Sequence, residues 1–302
     1  MNWDDLRVFL AVARAGQLSA AAKSLRLDPA TLSRRMVRLE ESLGQRLFLK
    51  SLQGYQATRA GEELLELARH MERRANEIQS SPSDVSEGLT GTIRIGAPDG
   101  SANFVLPRVC TKLSNQHPDL KIQIVALPQT FNLSKREADM AVAVSDPKAA
   151  HLTTTKISVY HLHLAAHRKY LANHPPIKSK DDLKNHRIIG YISDLIFTPE
   201  LDYMSELGAG FEAGLSSNSV SVQMHLAHQQ GGLCITHDFA MPSFPNLVQV
   251  LRDDIRLRRN FYLIRHRDEM RDRRISEFAN QLIAEMRSEI GQLESAAEAN
   301  AI

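Results

Sequence analysis

Apolar residues recur at helical spacing through the first eighty positions and at strand spacing through much of the remaining chain. Leu6, Phe9, Leu10 and Ala13 share one face of a first helix, with Asn2 to cap it, Asp5 three residues on and Gly16 to stop it. Ser19 is the expected cap of a second helix over 20–25, whose alanines permit close packing. Asp28 and Pro29 pair a capping side chain with proline at the first helical position, so a third helix starts there, runs to Leu43 and ends at Gly44. Its apolar stripe is Leu32, Met36, Leu39 and Leu43. A longer helix, capped by Thr58 and running to about Gln79, carries Leu64, Ala68, Met71, Ala75 and Ile78 in alternating steps of four and three. That heptad seam suits pairing with a second copy, whereas an ordinary amphipathic helix packs its stripe on its own domain.

Beyond a polar, breaker-rich hinge at 81–91, strands alternate with helices. Strands are expected at 92–97, 121–126 and 139–144, with a helix over 105–113. A second lobe begins near His161 and includes strands at 187–191 and 233–236. A strand at 260–265 leads back, and a helix over 275–290 returns to the first lobe. This β-α-β order implies crossover connections and an α/β sheet. The expected divisions are 1–60, 58–80, 81–91 and 92–295, with lobe I at about 92–160 and 267–295 and lobe II at about 161–266.

Composition adds exclusions. The 302 residues are 43% hydrophobic and 24% charged, the balance of a globular protein of two or three units. No apolar run approaches the roughly 18 residues needed to cross a bilayer. The opening Met1-Asn2-Trp3-Asp4-Asp5 is acidic, unlike a secretion signal, so a cytoplasmic protein with no membrane partner is expected. Cys110 and Cys234 lie far apart in apolar segments, which fits two free buried thiols in a reducing compartment.

Net charge is only +2, but residues 1–60 hold ten Lys and Arg against five Asp and Glu. A local basic excess is what a phosphate backbone requires. On the third helix, Pro29, Ala30, Thr31, Ser33, Arg34, Arg35 and Arg38 crowd the N-terminal half. A lone basic helix is most often a solvated face. Two short helices joined by a tight turn, the second basic at its leading end, instead match a helix-turn-helix reader of the major groove. Arginine forks take guanine or phosphate there, and small apolar groups meet thymine methyls.

The run Ser19-Ala20-Ala21-Ala22-x-x-Leu25, then Ser33-Arg34-Arg35-x-x-x-Leu39-Glu40-x-x-Leu43-Gly44-x-x-Leu47-Phe48, then Thr58-x-Ala60-Gly61, closely resembles the LysR-type transcriptional regulators. The resemblance implies an all-α winged helix-turn-helix N-terminal domain, a dimerising linker helix (Leu64, Ala68, Met71, Ala75, Ile78) and an α/β two-lobed, periplasmic-binding-protein-like effector domain. Its implied partners are double-stranded DNA, a small-molecule effector and further copies of the chain as homodimer or homotetramer, with RNA polymerase a candidate contact. The family's usual Ser-Gln-Pro start is replaced here by Asp28-Pro29-Ala30-Thr31, so Ser33 and Arg34 carry over best. In the wing, Lys50 is expected at phosphate, and Gln53 stands where an arginine often enters the minor groove.

In two-lobed α/β folds, ligands bind beyond the carboxyl ends of the strands. That rule selects Asp99, Gly100 and Ser101 after the first strand, Gln129, Thr130 and Phe131 after the second, Ser145 after the third, and Tyr191 and Asn218 from the other lobe. Each position also suits a plain turn or cap. Backbone N–H groups at the helix start after Gly100 suit an anion, but Asp99 beside them opposes a simple carboxylate. Gln230-Gly231-Gly232-Leu233-Cys234-Ile235-Thr236-His237 departs from the family's usual pattern, which alters the pocket rim. A rival enzymatic function finds no phosphate-cradling loop, nucleophile elbow or zinc-binding HExxH. His161 with His163, and His225 with His228, stand at ligand spacing but without a carboxylate or cysteine nearby in sequence; no metal or cofactor is expected. A solute-binding protein would share the lobes but has no use for a basic recognition helix.

Overall fold

The computed structural model describes residues 2–51, 54–79, 88–127, 138–196, 198–208, 210–267 and 272–299. The chain divides into two compact units, Met1–Val85 and Ser86–Ile302.

In the first unit, α1 spans Trp3–Ala15; the Asn2 side chain accepts the Asp4 N–H, and Gly16 ends the helix at φ +64°. Helix α2 spans Leu18–Leu25 and α3 spans Pro29–Leu43. The expected Ser19 cap is not used: Gln17 precedes α2 without a side-chain cap bond, and Ser19 lies inside the helix. Asp28 does cap α3, accepting the Thr31 N–H at 3.1 Å, and Gly44 ends it in the left-handed region that glycine adopts without strain. Leu6, Phe9, Leu10, Leu32, Met36 and Leu39 close one core among the three helices.

Strands β1 (Phe48–Ser51) and β2 (Gly54–Ala57) then form an antiparallel hairpin, the expected wing, and the rest of the unit is α-helical. The Glu40 carboxylate accepts the N–H groups of Leu47 and Phe48, which ties α3 to the first strand and gives the Leu39-Glu40…Leu47-Phe48 spacing its physical reason. The Tyr55 N–H donates to Gly16 O at 2.8 Å, and the Phe48 ring lies 5.2 Å from Phe9, so the wing docks on the end of α1.

Helix α4 spans Arg59–Gln79, with Thr58 Oγ1 accepting the Gly61 N–H. A Cβ on Gly61 would stand 2.1 Å from Leu47 O, so only glycine fits where the helix leaves the wing. Ala68 is fully buried in the helix-turn-helix core, with Leu64 and Leu65 packed beside it, while Leu67 and Met71 are exposed. The expected seam is therefore divided: Leu64 and Ala68 serve the unit's own core, whereas Met71 faces outward. The Ile78 side chain lies outside the described residues.

The second unit opens with β3 (Gly91–Pro98), α5 (Asp99–Phe104), α6 (Leu106–Gln116), β4 (Leu120–Leu127) and β5 (Met140–Ala143). Most of the expected hinge lies outside the described residues. Strand β6 (Leu152–His167) is followed by α7 (Arg168–Ala172), β7 (Ile188–Gly190), α8 (Met204–Leu207), β8 (Ala213–Ser216), α9 (Val220–His228), β9 (Leu233–His237), β10 (Leu247–Gln249), β11 (Arg256–His266) and α10 (Arg273–Ala299).

One sheet runs β4-β3-β5-β11-β6-β9-β7-β8. Its ends are parallel triplets, β4-β3-β5 and β9-β7-β8, joined by the long antiparallel pair β6–β11. Those two strands belong to both lobes. Tyr262–Arg265 pairs with β5, and the register of β11 against β6 slips between Phe261 and Tyr262. Helix α10 extends well past the expected 290. It meets α6 through Lys112–Glu285 (2.6 Å) and Arg108–Glu289 (3.4 Å), and β6 through Glu294 to His161 (3.0 Å). No helix among the described residues is long and apolar enough to cross a membrane.

Candidate nucleic-acid interface and ligand cleft

The core stripe of α3 leaves an opposite face on which residues three, four and seven apart align. Ala30, Arg34 and Val37 are exposed there, with Ser33 partly so. Arg34 has only a long contact of 3.4 Å to Thr31 Oγ1 and no carboxylate partner among the described residues. Arg35 and Arg38 turn toward α1. Arg35 stands 3.9 Å from Asp4, and Arg38 makes a two-pronged bond to Asp5, whose carboxylate is almost wholly buried. Pro29 sits exposed at the helix start, and Lys50 lies exposed on β1 with Nζ 5.6 Å from the Tyr55 ring centre. Gln53 lies outside the described residues. Sequence reasoning missed Val37; its place seven residues after Ala30 and three after Arg34 was the available signal.

The second constellation lies where β3, β7 and β9 end. Asp99, Gly100 and Ser101, Tyr191 and Asn218 come together, as expected, around a cavity of about 30 Å³. Val144, Tyr160, Leu201, Val220, His237 and Phe261 complete its wall. Ser145 lines a separate, wider hollow of about 350 Å³ with Asp146, Glu200 and Arg258 instead. Gln129, Thr130 and Phe131 lie outside the described residues.

Asp99 opens α5 and does not face free solvent. One carboxylate oxygen accepts the Ser219 hydroxyl at 3.0 Å and the Ser221 N–H at 2.9 Å, both at the start of α9; the other accepts the Asn103 amide at 3.1 Å. Ser101 is fully buried and donates to Pro98 O. Tyr160 stacks on Phe261 at 4.2 Å and on His237 at 5.5 Å. Burial drives the Tyr160, Tyr191 and Tyr203 hydroxyls upward from their ordinary pKa, so all three stay protonated. Burial also lowers His237 to about 4, Asp238 opposing it, so that imidazole is neutral at pH 7. Gly100 lies beside the ring, where a Cβ would make an ordinary 3.6 Å contact with it. The sequence marked Thr236-His237 as a departure without assigning it to the wall.

Both cysteines are free and buried, and desolvation pushes each thiol up to about 12, which leaves them unreactive. His161 and His163 do meet carboxylates, but from distant segments: Glu294 at His161 and Asp238 at His163, 3.0 and 2.9 Å away. No group of three metal-ligating side chains converges among the described residues.

By fold, the smaller unit is a winged helix-turn-helix and the larger one a two-lobed α/β domain with a cavity at its strand ends. The chain belongs to the LysR family: residues 3–62 match the bacterial regulatory helix-turn-helix proteins of that family, and residues 86–287 match the LysR substrate binding domain. It is 37% identical over 142 residues to the transcriptional regulator DgdR of Burkholderia cepacia, an alignment covering 46% of this chain and 48% of DgdR. The chain thus spans about half the length of that relative. It is 25% identical over 288 residues to the Mau operon transcriptional activator of Paracoccus denitrificans, covering 94% and 98% of the two chains. Among solved structures, full-length LysG of Corynebacterium glutamicum with bound effector Arg shares the fold, with TM-score 0.65 at 16% identity over 95% of this chain and 98% of that one.

Proposed function

We propose that the chain reads duplex DNA with the outward face of α3, and that a small molecule held between the lobes changes how it does so. Arg34 carries this reading: a guanidinium at the leading end of a capped helix, without a carboxylate of its own, is placed to take guanine or phosphate. Pro29, Ala30, Thr31 and Ser33 surround it, Val37 extends the face, and Lys50 adds a phosphate contact from the wing. Arg35 and Arg38 serve α1 instead, and Gln53, outside the described residues, is a further proposed contact of the wing.

A dimer, or a tetramer built from dimers, joins through α4. Its exposed apolar residues Leu67 and Met71 are the contact, with Ala75 beside them, in place of Leu64 and Ala68. The bound effector acts by favouring one assembly shape over another. LysG is described with a bound effector, which supports a small-molecule ligand for the corresponding domain. The site of action is the cytoplasm, where the DNA is; RNA polymerase is the partner if the regulator activates. The role is regulatory and involves no catalysis.

The test is a mobility-shift titration of purified protein on fragments upstream of its own and neighbouring genes, against random duplex. Specific retardation is expected, with log affinity falling by about 0.9 per phosphate contact for each log of salt. Equal binding to all duplexes, or a flat salt response, defeats the reading. Met71→Glu should leave the chain monomeric in ultracentrifugation; an intact dimer removes α4 from the interface.

A further inference from the structure

The geometry points to Asp99 as a tethered carboxylate that fills the cleft's anion position, so that the effector is an uncharged molecule presenting a hydrogen-bond acceptor to His237. This rests on the reading that the effector binds between the lobes, and it names the chemistry of that ligand.

The first observation is who meets whom. Asp99 stands on the β3–α5 side of the cleft, and its carboxylate reaches the opposite lobe at the start of α9. Exposed N–H groups and the positive end of a helix dipole make such a place an anion site. Here the anion is the protein's own. Ser219 Oγ and Ser221 N–H hold one oxygen and the Asn103 amide holds the other, so the donors that would meet a ligand carboxylate are already engaged. An incoming carboxylate would have to displace Asp99 and then lie beside its charge. A cation gains little either, because three donors already meet that charge.

The second observation is independent of the helix end. His237 is about 96% buried in the cavity wall, yet its Nδ1 has no hydrogen-bond partner among the described residues. Its Nε2 faces the Tyr203 hydroxyl at 3.5 Å. With the Tyr203 hydroxyl donating to Nε2, the neutral ring carries its own proton on Nδ1. A buried donor without an acceptor is what a carbonyl or hydroxyl oxygen of a ligand would relieve. Beside Tyr160, Tyr191 and Asn218, the wall carries Pro98, Val144, Leu201, Val220 and Phe261, which suits a largely apolar body. At about 30 Å³ the closed cavity admits little more than one water, so the apolar wall must give way to admit the ligand while Asp99 keeps its bonds to the start of α9.

The experiment uses the full chain and pairs of small molecules differing only in charge, acetamide with acetate and benzamide with benzoate, read by thermal shift against chloride of equal ionic strength. The wild type is expected to be stabilised by an amide and not by its carboxylate partner. Preference for either carboxylate, or indifference to both amides, overturns the assignment. Asp99→Ala vacates the anion position, so acetate should stabilise that variant with affinity about tenfold above its affinity for the wild type. Equal response of variant and wild type to acetate overturns it as well. Should Asp99→Ala fail to fold, Asp99→Asn keeps an acceptor for Ser219 and Ser221 while removing the charge. It must then narrow the amide-over-carboxylate preference, and an unchanged preference counts against the role of Asp99. His237→Phe should weaken amide binding about tenfold, and no change removes His237 from the site. Mobility shifts run on the same preparations separate the two failures: a wild type that never binds DNA defeats the regulator reading, whereas the charge preference is read without DNA.

Discussion

The starts of α3 and α9 are both capped helix ends with donors to offer, yet they are used in opposite ways. At α3 a single local carboxylate, Asp28, accepts the Thr31 N–H, and the next cation along the helix, Arg34, is left outward without a counter-charge. At α9 the donors are taken up from inside the protein, by Ser219 and by Asp99 from the other side of the cleft. A cation left unanswered on a surface is where a partner must bring charge, and phosphate is the partner with charge in excess. A helix end already answered within the fold selects by exclusion. One region should therefore show its chemistry in binding and its salt dependence, the other in stability and its pH dependence.

The largest effect expected from this contrast lies in the cleft. An unfolded histidine titrates near 6.5, whereas folded His237 does so at about 4. As pH falls through that window the unfolded chain takes up a proton that the folded chain refuses, so stability present above pH 6.5 is lost on the way to pH 4. At about 1.4 kcal/mol for each pH unit between those two values, this one group contributes on the order of 3 kcal/mol to the loss. Urea unfolding of the wild type and His237→Gln at several pH values between 7 and 4 should give a flatter profile for the variant. Parallel profiles would mean the ring is not held neutral by burial.

At the α3 face the expected effect is in affinity. Arg34→Ala should weaken specific DNA binding by about 1–3 kcal/mol while leaving the urea midpoint unchanged. The midpoint is conveniently followed by Trp3, the chain's one tryptophan, on α1. A variant that binds its fragment undiminished takes Arg34 out of the interface. One that loses stability as well would erase the distinction between the two helix ends.

How much of this was legible in the sequence depends on the range of the interaction. Asp28-Pro29 and Gly44 act within a helical turn, and both ends of α3 fell where those residues put them. The α2 start was misplaced because a serine suited to capping lies just inside a backbone that begins helical without it. A strand was expected at 260–265 within β11 but not its full length, and β6 was not delimited, since residues buried on both faces of a central strand no longer alternate. The cleft was found as a place, because strand ends are local, and Asp99, Tyr191 and Asn218 were picked from them. The role of Asp99 was not, because its partners lie 120 and 122 residues away. The same kind of distance hid Glu294 and Asp238 from the histidines they meet.

Arg38 is the residue on which this limit bears most directly, and it gives the smallest of the expected effects. On the helix it counts as one more cation of the basic face, but Asp5, 33 residues earlier and nearly fully buried, holds it against α1. If Arg38 serves as a strut, Arg38→Gln and Asp5→Asn should each lower the urea midpoint read by Trp3 slightly. The double variant should then be no worse than the poorer single, because both remove one interaction. The salt slope of DNA binding should stay where it was in all three. A phosphate contact predicts something else: Arg38→Gln alone would reduce that slope by about 0.9, and Asp5→Asn would leave it untouched or steepen it by freeing the guanidinium. Coupling in stability without coupling in salt dependence would assign Arg38 to the scaffold that presents Arg34. The reverse pattern would return it to the DNA face and weaken the claim that only unanswered cations of α3 meet phosphate.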